Sequence, residues 1–400
     1  MRRVVLTGAG TVNALAVDVP GTLAALAAGR TAIGPLDFPD VDRLAIRIGA
    51  AVRNWPGVPG MTSRDAALWD PFTRYALAAA DEAVAMSGLA PADLVRAGVI
   101  IGTAAGGIST WEENYRAVFA EGRDRVPPLV VPRLMHNAAA SHVSIRHGLR
   151  GPSFSVSSAC ASSNHAIGLA FQMIRMGQAD VMLAGGAEAM LCFGGIKAWE
   201  GLRVLAPDAC RPFDTARTGM VIGEGAAVFV LESADRAAAR GAPVLAEVAG
   251  FGMTADAHDI VAPSVEGAVA AMRAALADAG LTAADLGYVN AHGTGTLAND
   301  RAEAAALRKV LGGAAAGVPV GSTKGAHGHA IGATGAIELL ACILALRDGL
   351  VAPTVGCRAV ADDLGLDIVV GGARRATAGA ALSNSFAFGG LNAVLALRAP

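Results

Sequence analysis

The fold is decided by a junction between a strand and a helix at residues 154–171, which read FSVSSACASSNHAIGLAF. Residues 154–158 have the alternation of a short strand, and residues 161–176 carry an apolar face of helical period. Cys160 stands at the join. A thiol at a helix N-terminus feels the positive end of the helix dipole, so a reactive cysteine with a lowered pKa is expected here. An inert buried cysteine would show the same local sequence.

Short apolar runs elsewhere in the chain alternate with alanine-rich segments of helical period, which is typical of buried strands covered by helices. The pattern predicts a layered α/β fold with strands at 99–102, 181–184, 226–231 and 244–248. Residues 4–7 predict a first strand that ends at a glycine turn, rather than a signal peptide.

A short internal repeat suggests two similar halves. Asn164-His165-Ala166-Ile167-Gly168 recurs as Gly328-His329-Ala330-Ile331-Gly332. A match of this length in an alanine-rich chain also arises by chance, so the repeat alone leaves duplication open. The predicted domains are 1–240 and 241–400, fused without a Pro/Ser-rich linker.

Composition excludes several classes of function. The net charge is −2 and only three lysines occur, so no basic stripe for a nucleic acid is visible. The five cysteines are scattered, without any Cys-x-x-Cys spacing, which argues against disulfides or a zinc site and favours a reducing cytoplasm. The apolar segment 339–346 is far shorter than the ~20 residues that span a bilayer.

Three further segments place reactive side chains just after predicted strands, where sites are commonly built. Residues 290–296 carry His292 between glycines and threonines, and residues 322–329 carry Lys324 and His329. Residues 382–392 carry two phenylalanines in a glycine-rich turn. Each has an ordinary structural interpretation: a structural histidine, a solvated lysine and aromatic core.

Taken together and in this order, the four segments resemble the elongating β-ketoacyl-acyl carrier protein synthases of Cys-His-His type, a subfamily of the thiolase superfamily. The resemblance runs through nearly the whole chain. It includes residues 102–107, 150–152, 184–188, 211–214 and 223–226.

The resemblance implies a decarboxylative Claisen condensation between an acyl chain on Cys160 and malonyl-acyl carrier protein. It casts His292 and His329 as the pair that promotes decarboxylation and holds the enolate. Lys324 and Glu303 become a supporting ion pair near His329, with Asp300 as a nearby structural acid.

Further binding roles follow from the same resemblance. Thr294 and Thr296 resemble residues that hydrogen-bond the phosphopantetheine arm. Phe386 and Phe388 lie in the loop that would cap the acyl pocket, where Phe388 resembles a gate, and the backbone N–H groups of Cys160 and Phe388 resemble an oxyanion hole. Ala105 stands where many relatives place a larger residue at the bottom of the acyl pocket, which implies room for a longer or bulkier chain.

For the whole molecule, the resemblance implies a thiolase-like fold of duplicated α/β halves in five layers, α-β-α-β-α. Acyl carrier protein is the expected partner. The first candidates for docking residues are Arg123 and Arg125, and the second candidates are Arg64 and Arg74. No cofactor or metal of its own is expected, because the phosphopantetheine arm belongs to the carrier protein. A homodimer, or a heterodimer with a related subunit, is expected through the strand at 151–158.

Other interpretations fit less well. A thiolase should carry a second catalytic cysteine where this chain has Phe386 and Phe388, and coenzyme-A-primed synthases show asparagine where this chain has His329. A papain-like hydrolase would need a local signature around the cysteine that is absent. A non-catalytic chain-length-determining subunit remains an alternative, although such subunits typically lack the nucleophile. Changes near the active loop, Ala387 and Leu391 among them, favour specialised fatty acid or polyketide synthesis over housekeeping synthesis.

Overall fold

The structure is a computed structural model that describes all 400 residues, and its centre is one eleven-stranded mixed sheet. The chain has fifteen strands: β1 (Val4–Asn13), β2 (Gly34–Pro35), β3 (Ile48–Gly49), β4 (Gly98–Gly102), β5 (Ser153–Val156), β6 (Val181–Ala189), β7 (Glu224–Ser233), β8 (Ala246–Ala255), β9 (Leu286–Asn290), β10 (Pro319–Gly321), β11 (Leu350–Val351), β12 (Asp367–Ile368), β13 (Arg374–Arg375), β14 (Ala380–Ala387) and β15 (Leu391–Arg398). Strands β2 and β3 form a separate two-stranded sheet, as do β11 and β13, and the other eleven form the central sheet.

The α-helices pack on the outer faces of the sheet and between its two halves. They are α1 (Val19–Ala27), α2 (Ser63–Leu68), α3 (Pro71–Ser87), α4 (Pro91–Leu94), α5 (Ile108–Tyr115), α6 (Val130–Leu134), α7 (Ala138–His147), α8 (Ser162–Arg175), α9 (Phe193–Gly201), α10 (Ala234–Ala239), α11 (Val265–Ala279), α12 (Leu297–Leu311), α13 (Lys324–His327) and α14 (Thr334–Asp348). None of them is both long and apolar enough to cross a bilayer.

The two halves of the sheet repeat one topology. The first runs β5-β4-β6-β7-β1 and the second runs β10-β9-β14-β15-β8, so both place their strands in the order third, second, fourth, fifth, first. The strand directions agree as well, since β6/β7 and β14/β15 are antiparallel whereas β4/β6 and β9/β14 are parallel. The halves join where Val4–Leu6 of β1 pair with Ala246–Val248 of β8. The fold is therefore an internal duplication.

The short sequence repeat does not mark equivalent positions in the two halves. Its first copy lies inside α8, whereas its second copy lies in the loop before α14. The two helices themselves are equivalent, since each follows the third strand of its half. The two halves are therefore duplicated in topology, but the matching pentapeptides do not occupy equivalent positions in them.

Five layers result from the packing of the helices. Helices α8 and α14 contact strands of both halves and each other, and they form the central layer. Helices α3 and α7 cover the outer face of the first half, while α11 with α12 beside it covers the second. This is the α-β-α-β-α arrangement that the resemblance implies.

The prediction of a glycine turn after Thr7 is wrong. Strand β1 continues through Gly8 and Gly10 to Asn13. A Cβ at Gly8 would lie 2.1 Å from the carbonyl oxygen of Ala83, and one at Gly10 would lie 2.0 Å from that of Ala79. The glycines let α3 approach the strand closely, as glycine within a strand often does.

The carboxyl ends of the parallel strands gather the reactive segments. Cys160 follows β5, His292 follows β9, and Lys324 and His329 follow β10. The turn at 388–390 separates β14 from β15. Ligands of open α/β sheets bind at such carboxyl ends, so the topology brings distant parts of the chain to one site.

Candidate active site

Cys160, His292 and His329 meet in one buried cluster. The Sγ atom of Cys160 lies 3.1 Å from Nε2 of His329, and the three side chains bring one potential ligand atom each within 4.8 Å of the others. The two imidazole rings are 5.4 Å apart between centroids and nearly perpendicular, at 81°. The sequence predicted these three residues as one site, and the structure brings them together.

The turn that carries Cys160 is strained. Ala159 has φ of 48°, a left-handed conformation that costs a non-glycine residue energy and persists only where neighbours enforce it. Two contacts do so here: the Ser158 amide donates to Oγ of Ser162 at 2.9 Å, and Oγ of Ser158 lies 2.8 Å from Nδ1 of His165. The turn therefore presents the thiol at the start of α8 in a fixed position.

The resting thiol is neutral. Burial raises the pKa of Cys160 to about 12, against a smaller lowering by Lys324, so the expectation of a lowered pKa is wrong for this closed site. A neutral thiol must lose its proton as it attacks. His329 Nε2, at 3.1 Å, is placed to receive that proton.

The predicted ion pair between Lys324 and Glu303 is wrong. Lys324 is fully buried, and its Nζ lies 2.5 Å from Oε1 of Glu338, a residue of α14. Glu303 instead accepts hydrogen bonds from the backbone amides of His292, at 2.8 Å, and Gly293, at 2.7 Å. Glu303 therefore holds the histidine loop in place, while Glu338 balances the charge of the lysine.

Lys324 touches His292 rather than His329. Its ammonium donates to the carbonyl oxygen of His292 and lies 3.4 Å from Nδ1 of the same ring. Because an ammonium only donates, Nδ1 serves as the acceptor and the remaining proton of a neutral ring resides on Nε2.

Both histidines are neutral at ordinary pH. Burial, followed by the charge of Lys324, lowers the pKa of His292 and of His329 well below the usual range. Nδ1 of His329 lies 2.8 Å from Oγ1 of Thr334, which leaves Nε2 to face the thiol. Each ring thus presents one nitrogen to the reacting centre.

A cleft leads to this cluster; half of the residues that line it are hydrophobic, and most of its exposed surface is apolar. Thr294 and Thr296 line it, with their hydroxyl oxygens 2.9 Å apart, and Thr296 also caps α12. Phe386 stands edge-on to His292 with centroids 6.1 Å apart. The two predicted threonines and Phe386 thus belong to the cleft.

Phe388 also lines the cleft and rests on Trp199 of α9, with stacked rings 5.9 Å apart. Its turn is tied to a second loop, because the Gly389 amide donates to the carbonyl of Ile260 and the Asp256 amide donates to that of Gly390, both at 2.8 Å. The turn and the loop at 256–263 therefore form one joined rim.

Two predicted residues lie apart from the cleft. Asp300 is buried and accepts from the amides of Phe213, at 2.7 Å, and Gly295, at 3.2 Å, which fits the structural acid that was expected. Ala105 does not line the cleft in this single chain, and its amide donates to Glu188 at 3.1 Å. Its place at the bottom of an acyl pocket stays a prediction.

Sequence reasoning missed Glu338, Thr334 and Asp256. Glu338 is the one charged residue within the apolar run 334–346 of α14, and an isolated charge in a buried helix is a usable signal for a buried pair. Thr334 and Asp256 stand in no motif that would single them out before their contacts are known.

A thiol and two imidazoles are also a familiar set of zinc ligands. Two features of this site oppose that use. The ammonium of Lys324 lies next to His292 and would repel a second cation, and the thiol is already 3.1 Å from the nitrogen of His329. The donor set fits proton transfer and hydrogen bonding better than metal binding.

Comparison with known proteins agrees with this geometry. Residues 1–237 match the family model described as beta-ketoacyl synthase, N-terminal domain, and residues 245–358 match the corresponding C-terminal domain. The chain is 47% identical to nodulation protein E of Rhizobium sp. (strain N33) over 99% of both chains. It is 41% identical to 3-oxoacyl-[acyl-carrier-protein] synthase 2 of Rhizobium meliloti (strain 1021), covering 100% of this chain and 99% of that one.

A solved structure described as the ishigamide ketosynthase/chain length factor superposes with a TM-score of 0.95 at 33% identity, over 100% of this chain and 99% of the other. Two family models that together span most of the chain, relatives above 40% identity along its whole length, and a buried cluster of one cysteine and two histidines lead to one conclusion. The chain belongs to the β-ketoacyl synthase family.

Proposed function

We propose that this chain condenses an acyl group held on Cys160 with a malonyl unit delivered by acyl carrier protein, releasing carbon dioxide. The observation that carries the proposal is the contact of 3.1 Å between the Cys160 thiol and His329, with His292 beside them at the end of an apolar cleft.

In the first half-reaction, the sulfur of Cys160 attacks the carbonyl carbon of the acyl thioester. Nε2 of His329 takes the thiol proton, the bond from the carbonyl carbon to the pantetheine sulfur breaks, and the proton passes to the departing thiolate. The backbone N–H groups of Cys160 and Phe388 are assigned to the developing oxyanion.

In the second half-reaction, the malonyl thioester loses carbon dioxide, and the electron pair of the broken C–C bond moves onto the thioester oxygen as an enolate. The Nε2–H group of neutral His292 donates to that oxygen. Neutral His329 donates to it as well in the tautomer that carries its proton on Nε2, in which the hydroxyl of Thr334 donates to Nδ1. The enolate carbon then attacks the acyl-Cys160 carbonyl, a new C–C bond forms, and the bond from that carbonyl carbon to Sγ of Cys160 breaks. The released thiolate takes up a proton from water.

The acyl carrier protein binds at the mouth of the cleft in this proposal. Thr294 and Thr296 receive the phosphopantetheine arm of the carrier. Of the candidate docking residues, Arg125 and Arg64 are exposed, whereas Arg123 pairs with Glu121 at 2.8 Å and Arg74 donates to the carbonyls of Trp69 and Ala66. Arg125 and Arg64 are therefore the better candidates to meet the acidic surface of a carrier protein.

Assembly and pathway complete the proposal. The chain pairs through β5 with a second copy or with a related subunit, and it serves specialised fatty acid or polyketide synthesis. The cell compartment that fits is the reducing cytoplasm, because all five cysteines are buried and unpaired.

The test is intact-protein mass spectrometry after incubation with acyl- and malonyl-acyl carrier protein, with carbon dioxide followed in parallel. We expect an acyl adduct and a β-ketoacyl product with the wild type, and no adduct with Cys160→Ala. Cys192→Ala is the matched control, since burial raises the pKa of this thiol to about 12 as well and it lies outside the cleft. An adduct that survives in Cys160→Ala would show that another residue carries the acyl group. No adduct and no condensation by the wild type, even with a cognate subunit added, would favour a non-catalytic partner subunit.

A further inference from the structure

A buried carboxylate that the proposed chemistry does not use lies behind the active site. Glu188, at the end of β6, is fully buried and accepts four hydrogen bonds. Oε2 accepts from the amides of Ala104, at 2.7 Å, and Gly332, at 3.0 Å. Oε1 accepts from the Ala105 amide, at 3.1 Å, and from the Thr103 hydroxyl, at 3.0 Å. No lysine or arginine pairs with it.

The donors come from two segments that are far apart in sequence. Residues 103–105 follow β4, whereas Gly332 belongs to the turn between His329 and α14. The two segments are in close contact, because a Cβ on Gly332 would lie 2.6 Å from the Ala104 amide nitrogen and 2.7 Å from Oε2 of Glu188. Through its hydrogen bonds, Glu188 thus connects the segment that contains Ala105 to the loop that contains His329.

This loop needs such a support. Ile331, two residues after His329, has φ of 43°, which is a strained conformation for a β-branched residue. On one side the amide of His329 donates to the carbonyl of Val221 at 2.7 Å. On the other side Gly332 donates to Glu188. The strained residue Ile331 therefore lies between two fixed points, the amides of His329 and Gly332.

The ring of donors also decides the charge of Glu188. Burial raises the pKa of this carboxyl to about 7, and the four hydrogen bonds oppose that shift. All four donors point at the two oxygens, so a proton on either oxygen would face an N–H or O–H group and displace it. The arrangement therefore suits the carboxylate, and above pH 7 its negative charge near Cys160 raises the pKa of the thiol.

We infer that Glu188 is a positioning residue of the condensation reaction, which fixes His329 relative to the 103–105 segment and holds a negative charge behind Cys160. Lys324 and Glu188 then act on the thiol in opposite directions. This inference rests on the proposed role of Cys160 and His329.

The test compares Glu188→Gln with Glu82→Gln. Glu82, in α3, also accepts two backbone amides, from Thr11 and Val19 at 2.8 Å each, but these donors belong to β1 and α1 and not to the loop of His329. The glutamine at 188 has nearly the same shape, lacks the charge, and turns an NH₂ group towards donors. We expect condensation to slow roughly 10- to 100-fold, as misplacement of a catalytic group does. Glu82→Gln should keep the wild-type rate.

The second readout is alkylation of Cys160 by iodoacetamide at a fixed pH well above the pKa of Glu188, about 7, so that the carboxyl is ionised. It needs no acyl substrate. Loss of the negative charge lowers the pKa of the Cys160 thiol, which increases the fraction of thiolate. A fall of up to about one pKa unit should make alkylation roughly three- to tenfold faster in Glu188→Gln. A role in folding alone would not accelerate it. Unchanged or slower alkylation in a folded Glu188→Gln protein would overturn the inference.

A milder variant covers the case in which Glu188→Gln does not fold. Thr103→Val removes one of the four hydrogen bonds and keeps both the side-chain shape and the charge of Glu188. Slower condensation at an unchanged melting temperature supports the inference, and the wild-type rate overturns it. If the wild type itself does not condense, the proposed function fails, whereas the alkylation comparison still reports on Glu188.

Discussion

Lys324 shows how a single buried charge connects stability with chemistry. Its ammonium lies between the Glu338 carboxylate and the backbone and ring of His292. It lowers the pKa of both histidines and opposes the rise that burial imposes on the pKa of Cys160. Compact shape and complete burial explain why lysine, rare in this chain, occurs here.

Lys324→Met should therefore slow alkylation of Cys160. Without the positive charge the pKa of the thiol rises further, so the thiolate fraction at pH 8 to 9 falls and the iodoacetamide rate constant falls with it. The folded state should also lose about 3–5 kcal/mol, because Glu338 would remain buried without its partner. Alkylation kinetics and urea unfolding measure the two effects.

Lys309→Met is the control for both measurements. Lys309 pairs with Glu266 at the surface, and an exposed ion pair contributes about 0–1 kcal/mol. It should change neither rate nor stability noticeably. Equal losses in the two variants, or faster alkylation in Lys324→Met, would show that Lys324 does not act on the thiol.

At the level of elements, long apolar runs predicted strands and helices well. Prediction failed at glycines, because glycine occurs both in turns and in strands that a helix approaches closely. The strand predicted at 99–102 and the helix predicted at 161–176 agree with β4 and α8 to within about one residue. The strands predicted at 181–184, 226–231 and 244–248 fall on β6, β7 and β8 but cover only part of each. Gly8 and Gly10 signalled a turn by composition, but the structure uses them for contact with α3. Local sequence does not say which helix will pack on a strand.

Gly10→Ala should destabilise the protein by about 1–3 kcal/mol, since a new methyl would overlap the Ala79 carbonyl oxygen and force α3 away from β1. Gly201→Ala, at the end of α9, adds a methyl that meets nothing within 4 Å and should be neutral or slightly stabilising. Thermal unfolding compares the two. A Gly10→Ala protein as stable as Gly201→Ala would mean that α3 has room to move.

For the molecule as a whole, the residues of the site could be predicted more completely than their contacts. Cys160, His292 and His329 each stand in a motif after a strand, so sequence could place them in one site. Assigning Lys324 to Glu303 failed because local sequence does not show which segment α14 packs against. The packing of α14 brings Glu338 to the lysine.

The free edge of the central sheet at β5 predicts that the chain forms a dimer. Strand β5 pairs only with β4, so its other side presents unpaired backbone groups, and Phe154 on it is 38% exposed. Ile145 on the neighbouring helix α7 is 74% exposed. A free strand edge flanked by exposed apolar side chains is a template for pairing with another chain. We expect light scattering to give the wild type twice the single-chain mass of 40.0 kDa.

Phe154→Lys should shift that mass towards 40.0 kDa, because a charge at the edge opposes pairing, while far-UV circular dichroism stays unchanged. Met176→Lys, a change of the same kind at a still more exposed methionine just beyond the end of α8, should leave the dimer intact. A wild type of single-chain mass would reject pairing between identical chains and favour a related subunit at β5. A dimer that survives Phe154→Lys but not Met176→Lys would place the interface at the other end of α8.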